Sequence, residues 1–189
     1  MKKILSIVIL SLIITFEAMA YEEIKYEVVK SNKIYEIRKY PDRLAIETDV
    51  SNQGSSFRKL FNYLSGNNKN NQEIKMTTPV TQIEKKGNMT MQFYLPVKFN
   101  KDNVPQPSNS DVKILNIKGG YYAVITYSGR ASDKNFIKHK TILEDELKKG
   151  NVSILSPPIK ATYNGPFTLS LLRRNEAMFE VNTKTKGEI

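Results

Sequence analysis

The sequence predicts an α+β domain with a pseudo-two-fold internal repeat, and three observations support that class. Apolar residues alternate at every second position in about eight short segments, and recur at the helical i, i+3, i+4, i+7 spacing in two others. These segments follow the order strand, strand, helix, strand, strand, and then repeat it. Sliding the halves over each other by about 79 residues brings Phe57 onto Phe136, Leu64 onto Leu143, and residues 74–80 close to 152–159. Two such units, each with one apolar helix face and one apolar sheet face, can bury those faces together. The expected result is about eight strands curved toward a barrel, with two helices outside.

The first twenty residues stand apart. Lys2 and Lys3 precede an apolar run from Ile4 to Phe16, and Ala18-Met19-Ala20 closes it. A run of about 13 residues is too short to cross a hydrocarbon core of roughly 30 Å as a helix, so residues 1–20 are expected to be a signal peptide cleaved after Ala20. That predicts a periplasmic or secreted protein whose domain is residues 21–189. With no cysteine in the chain, a lipidated N-terminus, a disulfide and a thiolate ligand are all excluded.

Residues 34–40 and 44–50 read as strands separated by Pro41-Asp42, with Leu44, Ile46, Thr48 and Val50 sharing one face. Over 54–65 the period changes, and Phe57, Leu60, Phe61 and Leu64 form a helical stripe with Ser55 or Ser56 as cap and Gly66 as stop. Strand spacing returns over 75–82, with Pro79 at an edge or bulge, and over 89–95, where Met89, Met91, Phe93 and Leu95 share a face. Residues 100–110, with Pro105 and Pro107, read as a linker between the halves. The second half offers strands over 112–117 and 121–127, with Gly119-Gly120 as the turn between them, and a helix over 133–149 stopped by Gly150. Two last strands are expected over 159–164 and 176–182.

The chain carries a formal net charge of +10, and losing Lys2, Lys3 and Glu17 would leave about +9. Such a balance suits an anionic partner: nucleic acid, an anionic membrane surface or a carboxylate-bearing ligand; it equally suits a solvated surface with no partner. Export takes nucleic acid out of the front rank. Catalytic signals are absent. One histidine, His139, and no cysteine cannot assemble the usual zinc sets, and no glycine-rich phosphate loop occurs. His139 lies inside the second predicted helix, where a general base is poorly presented, and Glu144, Asp145 and Glu146 point in different directions around it. Neither a catalytic residue nor a metal site is expected.

Three segments resemble the SOUL heme-binding family. Tyr26-Glu27-Val28 and Tyr35-Glu36-Ile37-Arg38-Lys39-Tyr40 are similar to its opening "YEV...YEIRxY" strand pair. Ile74-Lys75-Met76-Thr77-Thr78-Pro79-Val80 resembles its "I-x-M-T-x-P-V" signature, after a helix end, Tyr63-Leu64-Ser65-Gly66-Asn67-Asn68, similar to "Y-I-x-G-x-N". Tyr163-Asn164-Gly165-Pro166-Phe167 and Arg173-Arg174-Asn175-Glu176 resemble the "Y-N-x-P-x-T...RRNE" stretch near its C-terminus. Order and spacing together carry the resemblance, which covers nearly all of residues 21–189.

The resemblance implies a distorted eight-stranded antiparallel β-barrel with two flanking helices. It further implies heme or a related porphyrin, held non-covalently in an apolar cleft beside the first helix, near the loop before the last strand. On this sequence that maps onto Arg58, Lys59, Leu60, Tyr63 and Leu64, and onto Tyr163, Phe167, Arg173 and Arg174. Leu60, Tyr63, Leu64 and Phe167 would supply walls, and Arg58, Lys59, Arg173 or Arg174 would face the propionates. Leu60 and Leu64 serve equally well as core, and Arg173 or Arg174 as surface ion pairs. His139 is not expected to be an axial ligand, and Met76 reads as an inward-facing core residue. Two other readings stay open: a receptor for another hydrophobic small molecule, and an envelope protein that interacts with anionic lipid.

Overall fold

Alternation decides the sheet and a change of period decides the helices, and the computed structural model, which describes residues 21–182, follows both. The first half contributes strands β1 (Glu22–Glu23), β2 (Glu27–Ser31), β3 (Glu36–Tyr40) and β4 (Arg43–Asp49), then helix α1 (Gln53–Leu64). It ends with β5 (Thr77–Thr78), β6 (Val80–Lys85) and β7 (Asn88–Tyr94). The second half contributes β8 (Lys113–Ile117), β9 (Gly120–Tyr127), α2 (Asp133–Lys149), β10 (Ser153–Ile154), β11 (Ile159–Thr162), a 3-10 turn at Ser170–Leu172, and β12 (Asn175–Asn182). The expected signal peptide, residues 1–20, lies outside the described residues.

The large sheet is antiparallel throughout and runs β2-β3-β9-β12-β11-β6-β7-β4-β8, with β10 attached to β12. Exchanging β3, β4, β6 and β7 for their counterparts β8, β9, β11 and β12 reproduces that order backwards. The repeat therefore has its two-fold axis between β6 and β11. Each half also lends its first strand to the other: β3 pairs with β9, and β8 pairs with β4. The halves differ most between their last two strands, where the Lys86-Gly87 turn of the first becomes residues 163–174 in the second.

The expected distorted barrel of about eight strands takes the form of a ten-stranded half-barrel. The extra strand β2, whose side chains are all exposed and which alternation did not reveal, takes the free edge of β3. That leaves β8 as the opposite edge, and the sheet curls without closing.

The helices lie on one face, each over its own half. Under α1, Ile46, Met91, Phe93 and Leu95 pack on Leu60, Tyr63 and Leu64; under α2, Ile37, Ile125, Ala177 and Phe179 pack on Leu143 and Leu147. Side chains this deeply buried contribute about 1.5–3 kcal/mol each. The α1 stripe is rotated from the expected one. Leu60 and Leu64 are buried, but Ser56 and Tyr63 join them while Phe57 and Phe61 stay exposed. The reason is the connection after β7, which was expected to be a bare linker: Phe99, Val104 and Val112 enter the core, and the Tyr63 hydroxyl donates to the Pro105 carbonyl at 2.7 Å. The α1 cap is Asn52, not Ser55 or Ser56; its side chain accepts from the Gly54 and Ser55 amides. Helix α2 is capped by Ser132 and stopped at Gly150, at the expected ends.

The turn between β8 and β9 requires a glycine at Gly119, where a Cβ would lie 2.6 Å from the Tyr40 carbonyl oxygen. That close approach lets the Gly119 amide donate to Asp42 at 2.8 Å, which ties the β3–β4 turn to the β8–β9 turn.

Candidate ligand-binding site

Because α1 and α2 each cover only their own half, a cleft of 580 Å³ is left between them over β6, β7 and β11. Its walls include Gln53 of α1, Met89 of β7, Phe136, Ile137 and Lys140 of α2, and Pro158. Met89 and Ile137 are 43 % and 56 % exposed, so the core has left large apolar groups on the cleft rim. On α1 the exposed rings of Phe57 and Phe61 stack 6.1 Å apart, and Phe57 rests edge-on against Phe93 at 5.0 Å. Two cations at the cleft are already paired: Lys160 with Asp133 at 2.8 Å, and Lys140 with Glu144 at 2.8 Å.

At the start of α2 the cleft adjoins a second hollow, of 500 Å³, between Arg130, Ser132 and the 167–173 loop. This loop exposes an unusual amount of apolar surface: Phe167 is 99 % exposed, Leu169 72 %, Leu171 86 % and Leu172 71 %. It is nonetheless braced. Arg173 donates to the Thr168 carbonyl at 2.7 Å and to the Pro166 carbonyl, and the Gly129 amide donates to the Ser170 carbonyl at 2.8 Å. Side chains held in water by a braced loop mark a surface that expects something to cover it.

The nine residues taken from the resemblance fall into four environments. Leu60, Tyr63 and Leu64 are core residues, and burial pushes the Tyr63 hydroxyl up to about 12. Arg58 is exposed, and Lys59 is held by Asp111 at 2.6 Å, which in turn keeps the Asp111 carboxyl below its ordinary range. Phe167 and Arg173 line the 500 Å³ hollow. Tyr163 and Arg174 lie elsewhere, on the face of the sheet turned away from the helices.

There they belong to a buried network that residue spacing did not reveal. Glu176, fully buried, accepts from Arg38 at 2.9 Å, from Arg174 at 2.8 and 3.0 Å, from Thr126 at 3.2 Å and from the Tyr163 hydroxyl at 2.8 Å. The Arg174 guanidinium also stacks 3.8 Å over the Tyr163 ring and reaches Glu23 at 2.7 Å. Burial alone would lower the Arg38 pKa, but the Glu176 charge and the hydrogen bonds to Tyr40 and Glu176 outweigh it and raise it. Burial, reinforced by the Glu176 charge, raises Tyr163. The "YEIRxY" and "RRNE" segments thus meet in space: the most recognisable residues of the chain build one internal ion cluster. Their place in the two family-like segments, residues 35–40 and 173–176, was the available signal.

His139 stacks flat on Tyr127, ring centroids 4.0 Å apart, with Nδ1 2.8 Å from the Asn135 carbonyl oxygen, outside the inter-helix cleft. Among the described residues no group of three His, Cys, Asp or Glu side chains could hold a metal ion.

Residues 21–180 match the family model described as SOUL heme-binding protein. Heme-binding protein 2 of Mus musculus is 30% identical over 159 residues, 75% of each chain. Heme-binding protein 2 of Homo sapiens is 30% identical over 167 residues, 80% of each chain. Among solved structures, the C-terminal domain of EcmrR superposes with a TM-score of 0.60 at 13% identity, covering 83% of this chain and 98% of that one. A hydrolase from Listeria innocua gives 0.57 at 9% identity, covering 82% and 94%. Likeness at these identities concerns the fold alone.

Proposed function

The chain belongs to the SOUL heme-binding protein family, and from that premise we propose that it binds heme or a related tetrapyrrole non-covalently, in the cleft beside α1. The observation that carries the location is the 580 Å³ opening whose rim keeps Met89 and Ile137 in water. A flat apolar macrocycle laid there would bury those groups, at about 25 cal/mol per Å² removed from water. The braced 167–173 loop, beside the same end of α2, supplies a further apolar wall for the ring. Its Arg173 uses two N–H groups on backbone carbonyls and has three left for a propionate, with Arg130 next to it. Ring burial and propionate pairing, not coordination, dominate the affinity, and the protein does no covalent chemistry on its ligand.

Titration with hemin tests this. A saturable Soret shift with Kd in roughly the micromolar range is expected, with metal-free protoporphyrin binding almost as well. Ile137→Asp should weaken both by about tenfold or more while leaving the melting temperature unchanged, since Ile137 is exposed. His139→Ala should leave binding unchanged. If neither porphyrin saturates the folded protein, the reading fails.

The apolar loop and the net charge of +10 favour a second reading, docking on an anionic lipid surface. Salt-sensitive sedimentation with anionic vesicles, abolished by Leu171→Asp, would support it. Export by cleavage after Ala20 is part of the proposal, and N-terminal sequencing of the cellular protein should begin at Tyr21.

A further inference from the structure

On the face away from the helices the curled sheet forms a separate cavity of 290 Å³, too small for a macrocycle and bounded by strands of both halves. Part of its wall is apolar, through Ile83, Leu115, Ile159 and Met178. Two opposite charges face it without a counter-ion. The Arg43 guanidinium sits among three tyrosine rings, 4.5 Å from Tyr40, 5.1 Å from Tyr94 and 5.4 Å from Tyr122, and its buried Nε has no hydrogen-bond partner. Neither Arg43 nor Glu180, which lines the same cavity, forms an ion pair among the described residues. The other cation there, Lys85, is matched by Glu47. Both unmatched charges reach one phenol: burial raises Tyr122, Arg43 pulls it down and Glu180 pushes it up.

Cation–π contacts and a hydrogen bond to Tyr122 hold Arg43 in place but leave its buried Nε unspent, and a buried N–H without an acceptor is costly. One base and one acid that line the same small cavity without pairing to each other, with apolar side chains between the polar ones, match one kind of molecule. We propose that this cavity binds a small zwitterion of the α-amino-acid class, its carboxylate on Arg43, its ammonium on Glu180, and an apolar side chain against Ile159 and Met178. The site is independent of the tetrapyrrole reading, because its residues come from the opposite face of the sheet.

Calorimetric titration of the full chain with L-phenylalanine, 3-phenylpropanoate and 2-phenylethylamine tests it, with folding of each variant checked by circular dichroism. Saturable binding of L-phenylalanine is expected, with each analogue, lacking one charge, weaker by about tenfold or more. Glu180→Gln should abolish the preference for L-phenylalanine over 3-phenylpropanoate, and Arg43→Gln should abolish binding of both. No saturable binding of L-phenylalanine to the folded wild type, an analogue binding as tightly, or unchanged preference in Glu180→Gln would overturn the proposal.

Discussion

Glu176 and Glu47 sit in the same cross-strand layer of the two halves, and the protein treats them in opposite ways. Glu47 of β4 lies opposite Gln92 of β7, and Glu176 of β12 lies opposite Thr126 of β9, so the repeat keeps one acid per pair but moves it to the partner strand. Glu176 is sealed under two arginines, a tyrosine and a threonine. Glu47 has only the Gln92 amide and Lys85, whose side chain is 40 % exposed. One half has turned its inner acid into an internal strut, while the other keeps a half-open edge beside a cavity. Repeat symmetry fixes where a polar pair goes; the neighbouring strands decide how many partners seal it, four side chains for Glu176 and two for the likewise buried Glu47.

The contrast breaks most visibly under charge removal. Glu176→Gln should cost about 3–5 kcal/mol, since it strands Arg38 without its buried partner, whereas Glu47→Gln should cost about 1 kcal/mol because Lys85 can turn to water. Urea unfolding of both variants measures this, and equal losses would show that the two acids are not in different environments. A smaller effect separates two buried tyrosines. Tyr63→Phe loses the bond to the Pro105 carbonyl and should destabilise by about 1 kcal/mol, while Tyr127→Phe removes a buried hydroxyl that has no partner and should be neutral or stabilising. Thermal melts of the pair give the sign directly.

The smallest effect is electrostatic. Asp111, held below its ordinary range by Lys59, ties α1 to the segment ahead of β8. A lowered folded pKa means that the contribution is complete above the unfolded value of about 3.9 and is lost as pH falls through the folded value. Melting-temperature differences between wild type and Asp111→Asn should therefore be constant near neutrality and vanish in acid. A difference that persists at the acid end would place the interaction on something other than the carboxylate.

How much of this was legible in the sequence differs between element and contact. The span of α2, its Gly150 stop, the alternation of β4 and β7, and the two-fold repeat are local properties: period, cap and turn act within a few residues, so the chain order alone determined them. The family motifs were equally visible. Their role was not, because Arg38 and Glu176 are 138 residues apart in the chain, and only the exchange of first strands between the halves brings them together. For the same reason Tyr63, read as a ligand wall, lies in the core, together with Leu60 and Leu64, for which the sequence left wall and core equally open. Which flank of an amphipathic helix is covered depends on what returns to lie on it, here the stretch around Pro105. The open edge of the barrel belongs with these: the family-like Tyr26-Glu27-Val28 pointed to a strand at β2, but its all-exposed side chains carry no alternation, and pairing at a sheet edge is settled by backbone groups, so the tertiary structure decided where the sheet ends.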